Sequence, residues 1–283
     1  MEKGNEKKVS WKLIAAIIVI IAVIIAGICY WYFQIKKPHD TAVNNFNAAA
    51  KTVTEQNKEL DAIIESAQAV LDSGDQPYDA NTSTDAITAI SDAEAAKREV
   101  PEIPDKTDDI DAETDKLSEP LDYSSVITNV NDKKTALENS IQQMKQITNP
   151  SEDFVIQRLQ GIDGISGYQA VTEDHDPNGN LNKQGGYTAA VYFSSPWINQ
   201  DEVYGNDIID KGTDCGGCIE VYSTVDDAES RNAYLASFDG AGFLNSGSHI
   251  VLGTIVIRTS SNLTATQQND LTQRISDKLL ELQ

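Results

Sequence analysis

The chain has 283 residues, and its 44 Asp and Glu against 22 Lys and Arg give a formal net charge of −22. So acidic a surface does not seek phosphates or anionic lipid on electrostatic grounds, which excludes a nucleic-acid partner. The length allows about two domains outside a membrane.

Taken in order, residues 1–12 form a short tail carrying Lys3, Lys7, Lys8 and Lys12. The run Leu13 to Phe33 has no charged residue and no proline. At about 1.5 Å per residue it reaches about 31 Å, the thickness of a hydrocarbon core, and predicts a transmembrane helix over 13–33. Trp11 at one end and Tyr30, Trp31 and Tyr32 at the other suit the two headgroup layers. Only Lys36 and Lys37 follow immediately, so the positive-inside rule predicts a cytoplasmic tail and an extracellular remainder. That remainder holds 16 basic and 42 acidic residues, a net of about −26, once the six lysines and two glutamates before residue 38 are set apart. The apolar core exceeds the usual 7–15 residues of a signal peptide and no small-x-small site follows, which favours a signal anchor over a cleaved leader. Ile28 stands where lipidation of Cys29 would need a small residue, so Cys29 reads as a membrane-embedded thiol.

Residues 38–149 predict a helical stalk with no Trp, no Cys and a single Phe. Val43, Phe46, Ala50, Val53, Leu60, Ile63, Ile64, Ala67, Val70 and Leu71 recur at three-four spacing and predict a helix to about Asp72, ended by Ser73-Gly74-Asp75. A second helix begins near Ser83 or Thr84, presents Ile87, Ile90, Ala93 and Ala96, and stops before Pro101 and Pro104. A short acidic helix around Ile110 to Leu117 follows, then a last one from Ser124 with Val126, Val130, Leu137, Ile141 and Met144 inward. Thin, Ala-rich faces suggest an antiparallel bundle or short coiled coil. The segments Leu60-Asp61-Ala62-Ile63-Ile64, Ala69-Val70-Leu71, Tyr78, Ala86-Ile87 to Ala93, and Ala136-Leu137 to Ile141, over residues 60–147, resemble the three-helix FIVAR modules of Gram-positive surface adhesins. That resemblance implies a spacer or binding element. The acidic, proline-interrupted stretch between Pro101 and Pro120 departs from the modules.

The composition changes near Asn149-Pro150, and residues 150–283 read as an α+β head. Pro150-Ser151 and two acids open a helix carrying Phe154, Val155 and Leu159, which Gly161 and Gly164 end. Strand patterns follow at Tyr168–Thr172, Tyr187–Ser194, Ile219–Ser223 and His249–Arg258, with an amphipathic helix at Val225–Phe238 and a final helix from Thr264. The order predicts a mostly antiparallel sheet of four or five strands with helices on one face. The segments Thr172 to Gly179, Gly185 to Ala189, Asp214-Cys215-Gly216-Gly217-Cys218 and Gly253 to Arg258 resemble a C-terminal domain of membrane-anchored proteins in Gram-positive bacteria. The resemblance implies compartment and architecture and supplies no catalytic residues.

Two loops carry candidate chemistry. Asp174-x-Asp176-x-Asn178-Gly179 places three oxygen side chains at alternating positions before a glycine, as in half of a calcium loop. Gly185 stands where a bidentate Glu should close it, so Ca²⁺ binding would need Glu173, Asn180, Asn182 or a remote acid such as Glu220. The competing reading is an Asx-rich turn, since Asp-Pro-Asn-Gly is turn chemistry by itself. Cys215-Gly216-Gly217-Cys218 predicts a disulfide outside the membrane, contributing roughly 2 kcal/mol through its small loop, against redox or metal-binding alternatives. His175 lies in the acidic loop as a candidate ligand or proton carrier, and His249 reads as a sheet-edge or packing residue. Arg258 is the lone basic residue of its strand and predicts an ion pair with a nearby acid. Trp197, in a long loop, is either an exposed binding aromatic or folded over the sheet.

No nucleophile elbow, phosphate loop, dinucleotide fingerprint or zinc-protease helix appears. The expectation is a single-pass surface protein of a Gram-positive bacterium that binds a protein or cell-wall component without catalysis. The alternatives are a thiol-disulfide redox factor using Cys215 and Cys218, and a structural subunit of an envelope complex.

Overall fold

The computed structural model describes residues 11–240 and 247–282, so Lys3, Lys7 and Lys8 lie outside the described residues. Helix α1 spans Trp11–Trp31 and buries none of its residues. A π-helical turn, Tyr32–Lys36, joins it to α2, Lys37–Leu71. The cause of the wider turn is Pro38, which has no N–H to give the preceding turn and whose ring crowds the carbonyl four residues back. The Lys37 N–H accordingly donates to Tyr32 O, five residues back.

The remaining α-helices and strands are α3 (Asn81–Ala96), α4 (Thr107–Leu117), α5 (Ser124–Gln146), α6 (Glu152–Leu159), β1 (Gly167–Ala170), β2 (Tyr187–Ser194), α7 (Ile208–Lys211), β3 (Gly216–Tyr222), α8 (Val225–Ala236), β4 (Ser248–Leu252), β5 (Ile255–Thr259) and α9 (Ala265–Leu280). Contacts divide the chain into two compact units, one from residues up to 69 and 88–131, the other from 70–87 and 132–283.

In the first unit the three-four stripe of α2 is buried as its spacing predicts. Leu60, Ile64 and Ala67 meet Ala89 and Ala93 of α3 and Val130 of α5. Phe46 and Val53 meet Ile110 and Leu117 of α4, so the proline-bounded acidic stretch folds onto α2 and turns its carboxylates outward. Tyr123 ties the segment down: its hydroxyl donates to Asn57 Oδ1 at 2.7 Å and accepts from Arg98 N–H at 2.7 Å.

In the second unit the sheet order is β1-β2-β3-β5-β4, antiparallel throughout. The segment His249–Arg258 is not one strand but a hairpin, β4 and β5, turning at Gly253-Thr254. Helices cover both faces rather than one, because β2, β3 and β5 are buried on both sides. Val191, Phe193, Ile219, Val221, Ile255 and Ile257 pack against Val155 and Leu159 of α6 and Leu271, Ile275 and Leu279 of α9. The opposite face presents Tyr192, Cys218, Tyr222 and Val256 to Ala228 and Leu235 of α8 and Ile209 of α7. A register shift between Tyr187 and Ala189 lets Tyr187 join this second face while Ala189 stays on the first.

The end of α5 belongs to the same unit as the sheet. Ile147 is fully buried in the first-face core and its carbonyl accepts from Thr254 N–H at 3.1 Å, while Thr254 Oγ1 accepts from Asn149 N–H at 2.7 Å.

Candidate functional site

The polar content of the head gathers on the α8 face of the sheet and in the β1–β2 connection above it. On a strand, residues 218, 220 and 222 share one side, and here they are Cys218, Glu220 and Tyr222. Glu220 is wholly buried. Its Oε2 accepts from Arg231 Nε of α8 at 2.8 Å and its Oε1 from Arg258 Nη1 of β5 at 2.8 Å. Burial alone would raise the carboxyl pKa, but the two guanidiniums outweigh it and hold Glu220 below the usual carboxylate value. The acid that Arg258 was expected to meet is therefore Glu220, with Arg231 as a partner that no local pattern announced. A remote calcium ligand it is not: both of its oxygens face arginines.

The β1–β2 connection is organised by Asp176. Its Oδ1 accepts from Asn178 N–H at 3.0 Å and from the Tyr187 hydroxyl, and its Oδ2 accepts from Leu181 N–H at 2.7 Å. Although desolvation opposes it, these donors lower the Asp176 pKa, and burial with the Asp176 contact raises that of Tyr187. Asn178 Nδ2 donates to the Tyr192 hydroxyl at 3.2 Å. Asp174 stands apart, exposed at the tip of a turn closed by His175 N–H on Thr172 O at 3.0 Å. The oxygens of Asp176 thus serve the turn and Tyr187, while Asn178 meets Tyr192.

The residue between them does find partners. His175 Nε2 lies 3.0 Å from Asp210 Oδ1 and its Nδ1 3.8 Å from Asp207 Oδ2. Asp207 caps α7, accepting from Asp210 N–H at 2.8 Å, and its pKa is lowered chiefly by that backbone donor. These two aspartates lie in the stretch read from sequence only as a long loop. The signal available was Asp207-Ile208-Ile209-Asp210, an N-cap and a third helical position on one side of a short turn.

The disulfide expected at Cys215 and Cys218 is absent: both thiols are free and fully buried. Gly216 and Gly217 do not curl but run as the start of β3, paired with Ser194 and Phe193. A side chain at Gly217 would collide with the Arg258 carbonyl oxygen, so the glycines serve close strand packing. Cys215 Sγ donates toward Gly212 O at 3.1 Å, while Cys218 lies in the second-face core. Burial pushes the Cys215 thiol up to about 11, and burial with the Glu220 charge pushes Cys218 well up, the opposite of a reactive thiolate.

Trp197 is half-buried at the edge of the first-face core, its ring against Gly164, where an added Cβ would lie 2.8 Å from Cη2. The loop has therefore folded over the sheet instead of displaying the indole. His249 on β4 bonds Asn232 Oδ1 of α8 through Nδ1 at 2.7 Å, a packing role.

Compared with known proteins, the chain matches no family model, no curated protein and no solved structure.

Proposed function

We propose that this is a single-pass membrane protein with a cytoplasmic N-terminus, whose extracellular part binds a protein or cell-wall component and performs no catalysis. The observation that carries the reading is α1. It is 21 residues long and uncharged beyond Lys12, with no residue buried and Ile, Val and Leu exposed all round. Such a surface is costly in water and favourable in hydrocarbon. The buried, raised-pKa thiols speak against the redox alternative. The excess of acid suits a passenger kept soluble beside a cation-rich wall and not drawn back onto anionic lipid.

Brief proteinase treatment of intact cells tests it. The expected result is loss of the 34–283 portion with a short membrane-protected remnant. Full protection in intact cells, with digestion only after lysis, would reverse the orientation and end the surface-binding reading.

A further inference from the structure

We propose that His175, Asp207 and Asp210 form a binding site for a divalent transition-metal ion of the zinc type, with water completing the coordination. Their ligating atoms all lie within 4.8 Å of one another. An imidazole nitrogen with two carboxylate oxygens is a donor set for zinc or its neighbours, whereas calcium takes oxygen alone. The side chains come from two places, the β1–β2 connection and the first turn of α7, and each is held from behind. Asp207 Oδ2 accepts from Gln169 Nε2 at 3.2 Å and Asp210 Oδ2 from Asn206 N–H at 3.3 Å, the outer-shell bonds that orient metal-binding carboxylates. The backbone of His175 is fixed by Thr172 on one side and by the Asp176–Tyr187 contact on the other.

The charge balance points the same way. Among the described residues no Lys or Arg pairs with Asp207 or Asp210, and Lys211, next in the chain, donates instead to Gln200 O at 2.8 Å. Two carboxylates thus share one imidazole as their only ion-pair partner, an excess of acid that a divalent cation would balance. The cluster is also reachable: a surface depression of about 650 Å³, lined by Asp201, Glu202, Tyr204 and Asn206, ends on Asp210. Ligand bonds of about 2.0–2.2 Å require the three groups to close slightly, which the half-exposed His175 side chain permits by rotation. The site does not depend on the membrane reading and leaves the surface-binding role unchanged.

The test is a titration of the full chain, purified in detergent and stripped with chelator, with ZnCl₂ by calorimetry and with Co²⁺ by visible absorption. The expected result is saturable binding of one Zn²⁺ per chain and Co²⁺ d–d bands of mixed nitrogen and oxygen coordination. H175A should abolish the bands, and D210N and Q169A should each weaken Zn²⁺ binding by at least about tenfold. Far-UV circular dichroism of each variant keeps loss of fold separate from loss of ligand. Either of two zinc results would overturn the proposal, as would the calcium result below: no saturable binding to the folded wild type, or undiminished Zn²⁺ binding by folded H175A and D210N, which would mean the ion sits on other acids. Saturable Ca²⁺ binding indifferent to H175A would likewise replace this site with the Asp174–Asn178 loop.

Discussion

Glu220 has no route to water, and two arginines from different elements meet it. Breaking such a buried pair leaves uncompensated charge, so Glu220→Gln should cost about 3–5 kcal/mol of head stability, read as a lower urea midpoint. The sign of the pH dependence follows from the lowered pKa. The unfolded carboxyl titrates near 4.5, so the folded state's advantage is complete above that value and fades as pH falls toward the lower folded pKa. Wild-type stability should therefore drop on acidification from about pH 4.5 downward, with Asp176 adding in the same direction, and E220Q should show a shallower loss. A wild-type curve that is flat through this range would refute the account. At this scale the sequence was partly legible. A lone arginine in an apolar strand implies a buried acid, but choosing Glu220 requires knowing that β3 lies beside β5, and Arg231 enters only through the packing of α8.

Among the elements, those with local signals were legible. Ser151, Thr224 and Thr264 accept from the N–H three residues on, and each starts its helix where that chemistry predicts. The β4–β5 turn was not, because Gly253-Thr254 hides in an otherwise apolar run. Gly253 has φ +61°, and a Cβ there would lie 2.6 Å from Ile147 O. Gly253→Ala should lower stability by about 1–3 kcal/mol, measured by urea unfolding at constant m. Gly74→Ala shares the positive φ but meets nothing within 4 Å, so it should cost less. Equal losses would show that the close approach to Ile147 is immaterial. Helices on both faces were illegible for a related reason: the second face mixes Val256, Ala190 and Cys218 with Tyr187, Tyr192, Tyr222, Glu220 and Arg258, and the tyrosines and charges among them are usually read as facing solvent.

At the scale of the whole chain, the compositional break at Asn149-Pro150 does not coincide with the division of contacts. Residues 132–149 bring Ile147 into the sheet's core, and Gln146 Nε2 donates to Leu279 O at 2.7 Å at the end of α9. A fragment of 150–283 should consequently melt below one that begins at Ser124, and a calorimetric comparison giving equal midpoints would restore the sequence boundary. Composition marks where aromatic and glycine content changes, whereas compactness depends on which side chains are enclosed, and a single isoleucine weighs little in the first and much in the second.

The free thiols of the head carry a consequence of their own. A disulfide would have made maturation wait on an oxidant. With Cys215 and Cys218 sealed under strands and helices as thiols, the sheet closes without one. Each then becomes a built-in clock: a thiol reagent reaches it only when the structure around it opens, so the rate of its labelling counts those openings directly.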